Sequence, residues 1–203
     1  MSSGSVRRPI VVATRNAHKL AELEQILGAF ELRPLPEHVE FPPEEGDTFA
    51  ANARVKARAA WAATGTAVLA DDSGIEATAL DGRPGVHSAR YAGPAATDEE
   101  NLALLLQELS AESDRSVAYV CVIVHVSEGG VETLEEARCE GHLAEQPRGE
   151  GGFGYDPAFL PTDIADGRTM AELSPAEKHS ISHRGRAARA IAGALGVGEE
   201  VRS

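Results

Sequence analysis

Apolar runs and amphipathic stretches alternate along the chain and divide it into strands and helices. Pro9-Ile10-Val11-Val12-Ala13 is β-branched and apolar, which predicts a buried first strand. A polar junction, Thr14-Arg15-Asn16-Ala17-His18-Lys19, leads into a helix with Leu20, Leu23, Leu27 and Phe30 on one face. Residues 31–41 read as a returning strand and an irregular loop, interrupted by Pro34 and Pro36, with Pro42 and Pro43 beyond. Asp47 or Thr48 caps an alanine-rich helix over 49–63, which stops before Gly65. Ala67-Val68-Leu69-Ala70 is a short buried strand, and Asp71-Asp72-Ser73-Gly74 after it has the composition of a turn. Thr97-Asp98-Glu99-Glu100 is a capping box for a helix with Leu102, Leu105, Leu106 and Leu109 on one face. The nearly continuous apolar run 116–126 predicts a strand buried on both faces, and Gly129-Gly130 turns it into a second long strand over 131–141. Ser174-Pro175 starts a short helix, and a last helix carries Ala187, Ala188, Ile191 and Leu195.

Composition changes this picture little; charge changes it more. At 203 residues, 42% hydrophobic and 25% charged, the chain suits one compact α/β domain over 10–203, preceded by a flexible tail over 1–9. A net charge of -13 opposes sequence-independent binding to nucleic acid. It also means that a phosphate ligand needs local lysine, arginine or a metal. Two cysteines, Cys121 and Cys139, support neither a disulfide framework nor a thiolate zinc site. The first apolar run is too short for a signal peptide or a membrane span, so a cytoplasmic protein is expected.

Several groups carry candidate chemistry. Asp71 and Asp72 are either metal-holding acids at a strand end or ordinary turn residues. Successive strand side chains face opposite ways, so only one of them can face a cleft. The 14–19 junction is either a phosphate cradle at a helix start or a capped helix with a solvated Lys19. Asn52 and Lys56 lie four apart and share a helix face. Glu44 and Glu45 either bring a carboxylate toward the aspartates or form a solvated acidic loop. The glycines of 149–154 lack the helix a dinucleotide fingerprint needs, because Pro157 follows at once. They read as a loop approaching a ligand, with Phe153 and Tyr155 as stacking faces and Asp156 held extended before proline. Lys178, His183 and Arg184 concentrate donors in an otherwise acidic chain. His125 and His142 have no spaced ligand partners, and Cys121 reads as inert packing.

Five stretches taken together resemble the inosine/xanthosine triphosphate pyrophosphatase family: ATRNAHK at 13–19, EEGDTFAANARVKA at 44–57, LADDSGIEATALDGRPGVHSARYAG at 69–93, GGFGYDPAF at 151–159 and ELSPAEKHSISHRGRA at 172–187. The resemblance implies an elongated mixed sheet flanked by helices, with two lobes around a cleft, and a homodimer. It implies Mg²⁺-dependent hydrolysis of inosine, deoxyinosine and xanthosine triphosphates to the monophosphate and pyrophosphate. Carried over by residue, Thr14 to Lys19 match the triphosphate loop and Lys56 a second phosphate contact. Asp72 matches the catalytic acid and metal ligand, and Ser73 an adjacent substrate contact. Phe153, Gly154, Tyr155, Asp156, Lys178, His183 and Arg184 match the base and nucleotide site. Asp71 then supports the turn, and Gly74 lets the chain swing away. Ungapped alignment makes Glu44, rather than Glu45, the second metal ligand. Ala51 stands where the family usually has Glu. The alternatives are a pyrophosphatase for pyrimidine or modified canonical nucleotides, and a nucleotide sensor without turnover.

Overall fold

The apolar runs become strands of one sheet. The computed structural model describes residues 9–196, so the tail expected over 1–9 lies outside it except for Pro9, which begins the first strand. The elements are β1 (Pro9–Val12), α1 (Ala17–Ile26), β2 (Glu31–Pro34), α2 (Phe49–Thr64), β3 (Val68–Ala77), α3 (Asp98–Glu108), β4 (Ser116–Val126), β5 (Glu132–Leu143), β6 (Phe159–Pro161), α4 (Pro175–Ile181) and α5 (His183–Ala194). The strands run β2-β1-β3-β4-β5-β6, so β3 and β4 are central. β1 is parallel to β2 and β3, and the remaining neighbours are antiparallel. The mixed sheet is therefore as expected.

Alternation along the central strands sorts the core by face. Val68 and Ala70 of β3, with Val122 and Val124 of β4, pack under Phe49, Ala53, Ala57 and Ala60 of α2. The alanines bring this helix close to the sheet. Leu69 and Ile123 point the other way, beneath Leu23 of α1 and Ala187, Ala188 and Ile191 of α5. Farther along that second face, Ile75, Ala77, Val117 and Tyr119 join Leu102 and Leu105 of α3, Phe159 and Met170. Each large aliphatic side chain buried this way contributes about 1.5–3 kcal/mol. Between these clusters β3 carries Asp71, Asp72 and Ser73. The polar gap sits mid-strand in the most buried part of the sheet.

The local caps follow the residue signals. Thr48 caps α2, whose end is Gly65 at φ 64°. Thr97 accepts from Glu100 N at 3.2 Å, and the Glu100 carboxylate accepts from Thr97 N at 2.8 Å. Ser174 caps α4 with Pro175 as its first residue.

The expected turn at Asp71-Asp72-Ser73-Gly74 is absent. β3 continues through it, paired with β4 in unbroken register from Val68↔Val126 to Ala77↔Val117. Ten consecutive pairings outweigh the local turn preference of four residues. Gly74 does not swing the chain away either. Its hydrogen faces a tight contact, since a Cβ there would lie 2.4 Å from Ser88 Oγ and 2.5 Å from Gly85 O. Ser88 fastens that contact, with its hydroxyl accepting from Ile75 N at 2.9 Å and donating to Gly85 O at 2.6 Å. Gly74→Ala is accordingly expected to destabilise the fold by about 2 kcal/mol, lowering the thermal midpoint by about 4–8 °C. A calorimetric melt unchanged from wild type would disprove the close-contact role.

Candidate active site

The polar gap in β3 opens into a cavity of about 300 Å³ lined by residues from all parts of the chain. The two aspartates serve different faces of the strand. Asp71 is fully enclosed, and its Oδ2 meets Lys19 Nζ of α1 at 3.1 Å and the Arg184 guanidinium of α5 at 3.3 Å. Its Oδ1 is buried with no hydrogen-bond partner among the described residues. Burial opposes the Asp71 carboxylate, but Lys19, Arg184 and Lys56 hold its pKa well below the usual range. Asp72 faces α2. Lys56 Nζ lies 2.9 Å from its Oδ1, and Asn52 Nδ2 donates to its Oδ2 at 3.3 Å. Here burial dominates and raises the pKa despite Lys56. Helical spacing places Asn52 and Lys56 on one buried face, as their four-residue separation predicts.

Lys56 also meets Glu44 Oε1 at 3.1 Å, so one ammonium bridges the two carboxylates. Desolvation works against that charge, yet Asp72, Asp71 and Glu44 raise its pKa above normal. Glu44 lines the cavity and Glu45 does not, which favours Glu44 among the two acids of that loop. Asn52 ties the loop down, since its Oδ1 accepts from Gly46 N at 2.9 Å. Ala51 lies outside the cavity wall. Among the described residues, no three His, Cys, Asp or Glu converge as a metal cage. Glu44 and Asp72 are two hard oxygen donors. That set fits Mg²⁺, which favours one or two carboxylates completed by substrate phosphates and water.

The 14–19 junction is a capped helix start. Asn16 Oδ1 accepts from His18 N at 2.9 Å and Lys19 N at 3.2 Å. Lys19 is not solvated; it turns inward to Asp71. Thr14, Asn16 and Lys19 line the cavity, whereas Ala17 and His18 do not. Arg15 reaches the wall, but its guanidinium donates to the carbonyls of Leu35, Pro36, Glu37 and Val39 at 2.8–3.1 Å. Both of its Nη groups clamp the loop after β2.

At the other end, Asp156 organises the glycine-rich loop. It opens a 3-10 turn rather than lying extended, because Tyr119 OH (3.1 Å), Phe153 N (2.9 Å) and Lys178 Nζ (2.7 Å) all converge on its carboxylate. Gly152, at φ 72°, must be glycine: a Cβ would fall 2.1 Å from Asp156 Oδ2. Gly154 N donates to Asp98 at 2.8 Å. Phe153 stacks on His18 at 5.2 Å, with Lys178 Nζ 5.0 Å and the Arg184 guanidinium 5.7 Å from its ring centre. Tyr155 is a buried wall residue, its hydroxyl donating to Ser88 O at 2.8 Å, rather than an open stacking face. His183 stacks on Tyr119 at 4.5 Å. Burial, then Arg184 and Lys178, push its pKa well down and keep the ring neutral, with Nδ1 unpartnered among the described residues.

Glu22 was not singled out from the sequence, yet it accepts from Lys178 at 2.7 Å and from Arg184 at 2.6 Å. It lies 156 and 162 residues from those partners. Its spacing of three from Lys19, which puts both on one face of α1, was the available signal. Asp98, Tyr119 and Arg90 also line the cavity without having been singled out. Ser73 Oγ accepts from Arg184 at 2.8 Å.

With this geometry in view, comparison with known proteins is decisive: a model of the Ham1 family matches residues 10–194. The chain belongs to the Ham1 family. It is 48% identical over 196 residues to a dITP/XTP pyrophosphatase of Mycolicibacterium paratuberculosis, covering 92% of this chain and 95% of that protein. A dITP/XTP pyrophosphatase of Exiguobacterium sp. is 44% identical over 186 residues, covering 90% and 94%. The solved HAM1 protein of Coxiella burnetii superposes with a TM-score of 0.83 at 42% identity, covering 93% of this chain and 98% of that one. That superposition extends the fold described above to the Coxiella burnetii protein.

The cations around Asp71 generate a stability prediction. A depressed carboxylate pKa adds stability that is complete above the unfolded value of about 4 and is lost as pH falls below it. Asp71→Asn leaves Lys19 and Arg184 short of a buried partner, so about 3–5 kcal/mol should be lost near neutral pH. The gap from wild type should narrow as pH drops below about 4. Urea unfolding of both proteins across that range measures it, and a pH-independent gap would exclude the ionic role.

Proposed function

We propose that this Ham1 family member hydrolyses non-canonical purine nucleoside triphosphates, those of inosine, deoxyinosine and xanthosine, to the monophosphate and pyrophosphate. The observation that carries this reading is a single cavity lined by Asp72, Lys56 and Glu44 together with Phe153, Lys178, His183 and Arg184. The dITP/XTP pyrophosphatase names of its relatives supply the substrate class.

Asp72 is the general base: buried, raised in pKa and facing the cavity, it accepts a proton from water attacking the α-phosphorus. The bond from that phosphorus to the bridging oxygen breaks, and pyrophosphate leaves. Lys19 and Lys56 face the triphosphate and stabilise the charge that develops on it. Thr14 and Asn16 add polar contacts. Glu44 and Asp72 would hold Mg²⁺, which when bound supplies positive charge to the phosphates and a more acidic water. At the base end, Phe153 offers a stacking surface. Arg184, Lys178 and neutral His183 present donors suited to the C6 oxygen of hypoxanthine or xanthine. The C6 amino group of adenine would leave these donors unpaired, and rejection factors of order 10⁴ follow from such mismatches. The family resemblance further supports a homodimer acting in the cytoplasm. Among the described residues no helix is long and apolar enough to cross a membrane.

A panel of triphosphates with Mg²⁺, assayed for pyrophosphate against orthophosphate, tests the reading. Release of pyrophosphate from inosine and xanthosine triphosphates, little from ATP or GTP, and none after chelation is expected. Orthophosphate as the first product, or equal turnover of ATP, would refute it. Asp72→Asn should lower kcat by about 10²-fold or more while nucleotide binding survives. Equal loss of both would mean that Asp72 is structural.

A further inference from the structure

Six cations line the cavity, and five of them are already committed among the described residues. Lys19 is held by Asp71, and Lys56 by Asp72 and Glu44. Lys178 and Arg184 share Glu22 and are held further by Asp156 and Asp71. Arg15 turns both Nη groups to loop carbonyls. Arg90 differs. It closes the 3-10 segment Gly85–Arg90, and its side chain is 35% exposed. One Nη donates to the main-chain oxygen of Glu44 at 3.2 Å, and the other lies 4.0 Å from the Glu44 carboxylate, beyond hydrogen-bond distance. A guanidinium has five N–H donors, so most of this one is unspent.

Its position gives those donors a direction. Lys56 Nζ joins Asp72 to Glu44, and Arg90 stands on the far side of Glu44. Phe153, Lys178 and Arg184 gather instead on the Asp71 side of the strand. A nucleotide with its base against Phe153 and its α-phosphorus beside Asp72 therefore extends its distal phosphates past Glu44. We propose that Arg90 binds the β- and γ-phosphates of the substrate and so anchors the departing pyrophosphate. This rests on the triphosphate reading above and adds a ligand to it. The planar fork suits two phosphate oxygens at once, and a charged pair of that kind gains strength as the leaving group collects charge.

Binding of inorganic pyrophosphate and of inosine monophosphate, each measured by calorimetry with Mg²⁺, separates this role from a structural one. For Arg90→Ala the pyrophosphate dissociation constant should rise about ten- to a hundredfold, with monophosphate affinity unchanged. Arg90→Lys, which keeps the charge and loses the fork, should fall between. It also preserves the test if the alanine variant folds poorly. Unchanged pyrophosphate affinity in both variants would overturn the proposal, as would equal loss for both ligands or no pyrophosphate binding by wild type. Failure of the wild-type protein to release pyrophosphate from any triphosphate would instead sink the functional reading, while the binding comparison still decides Arg90.

Discussion

Two adjacent carboxylates in the middle of a central strand are the constraint on which the rest of this structure depends. Strand alternation sends Asp71 and Asp72 to opposite faces, so one counter-ion cannot serve both. Each face therefore recruits its own cations from elements distant in sequence: Lys19 and Arg184 below, Lys56 above. An unpaired buried charge would cost several kcal/mol, which makes the docking of α1, α2 and α5 conditional on these pairs. The apolar clusters give the sheet its cohesion, but they leave the middle of β3 open. Ion pairs fill that gap, and the cavity forms where they meet.

The same network reaches the far end of the site. Glu22 holds Lys178 and Arg184 together, and Arg184 returns to Asp71. Asp156 gathers Lys178, Tyr119 and the amide of Phe153. Arg184, beside Phe153, is thus linked through Asp71 to Lys19. The lysines and arginine are ordered before a ligand arrives, which reduces the entropy lost on binding.

Elements whose signals are local were legible in the sequence. β4 was read to its exact ends from its apolar run, and the caps at Thr48, Thr97 and Ser174 were readable because capping depends on residues three apart. The turn at 71–74 was misread for the same reason. Asp, Ser and Gly favour turns locally, and only pairing with β4, some fifty residues on, keeps them extended. Asp156 was misjudged likewise: the rule for residues before proline yielded to three donors fixed by tertiary structure. Motif positions marked the stretches that line the cavity, but not which side chains face inward. Arg15 and Glu22 show both failures. Arg15 sits within a motif yet spends its donors on a loop, and Glu22 sits in none yet holds two of the cavity's cations.

The charge balance of the whole molecule then takes on a different meaning. A chain of net charge -13 is an unpromising host for a polyanion. Most cations in the cavity already have carboxylate partners, so an arriving triphosphate does not simply neutralise bare positive charge. It exchanges one set of anionic partners for another. The favourable term is the difference between phosphate and carboxylate as a partner, which is smaller than the full Coulomb attraction. Ground-state binding is thereby restrained, and interactions that strengthen as charge develops are kept for the reaction itself. In the proposed function, the buried acids that stabilise the fold would also compete with the phosphates for the cavity's cations.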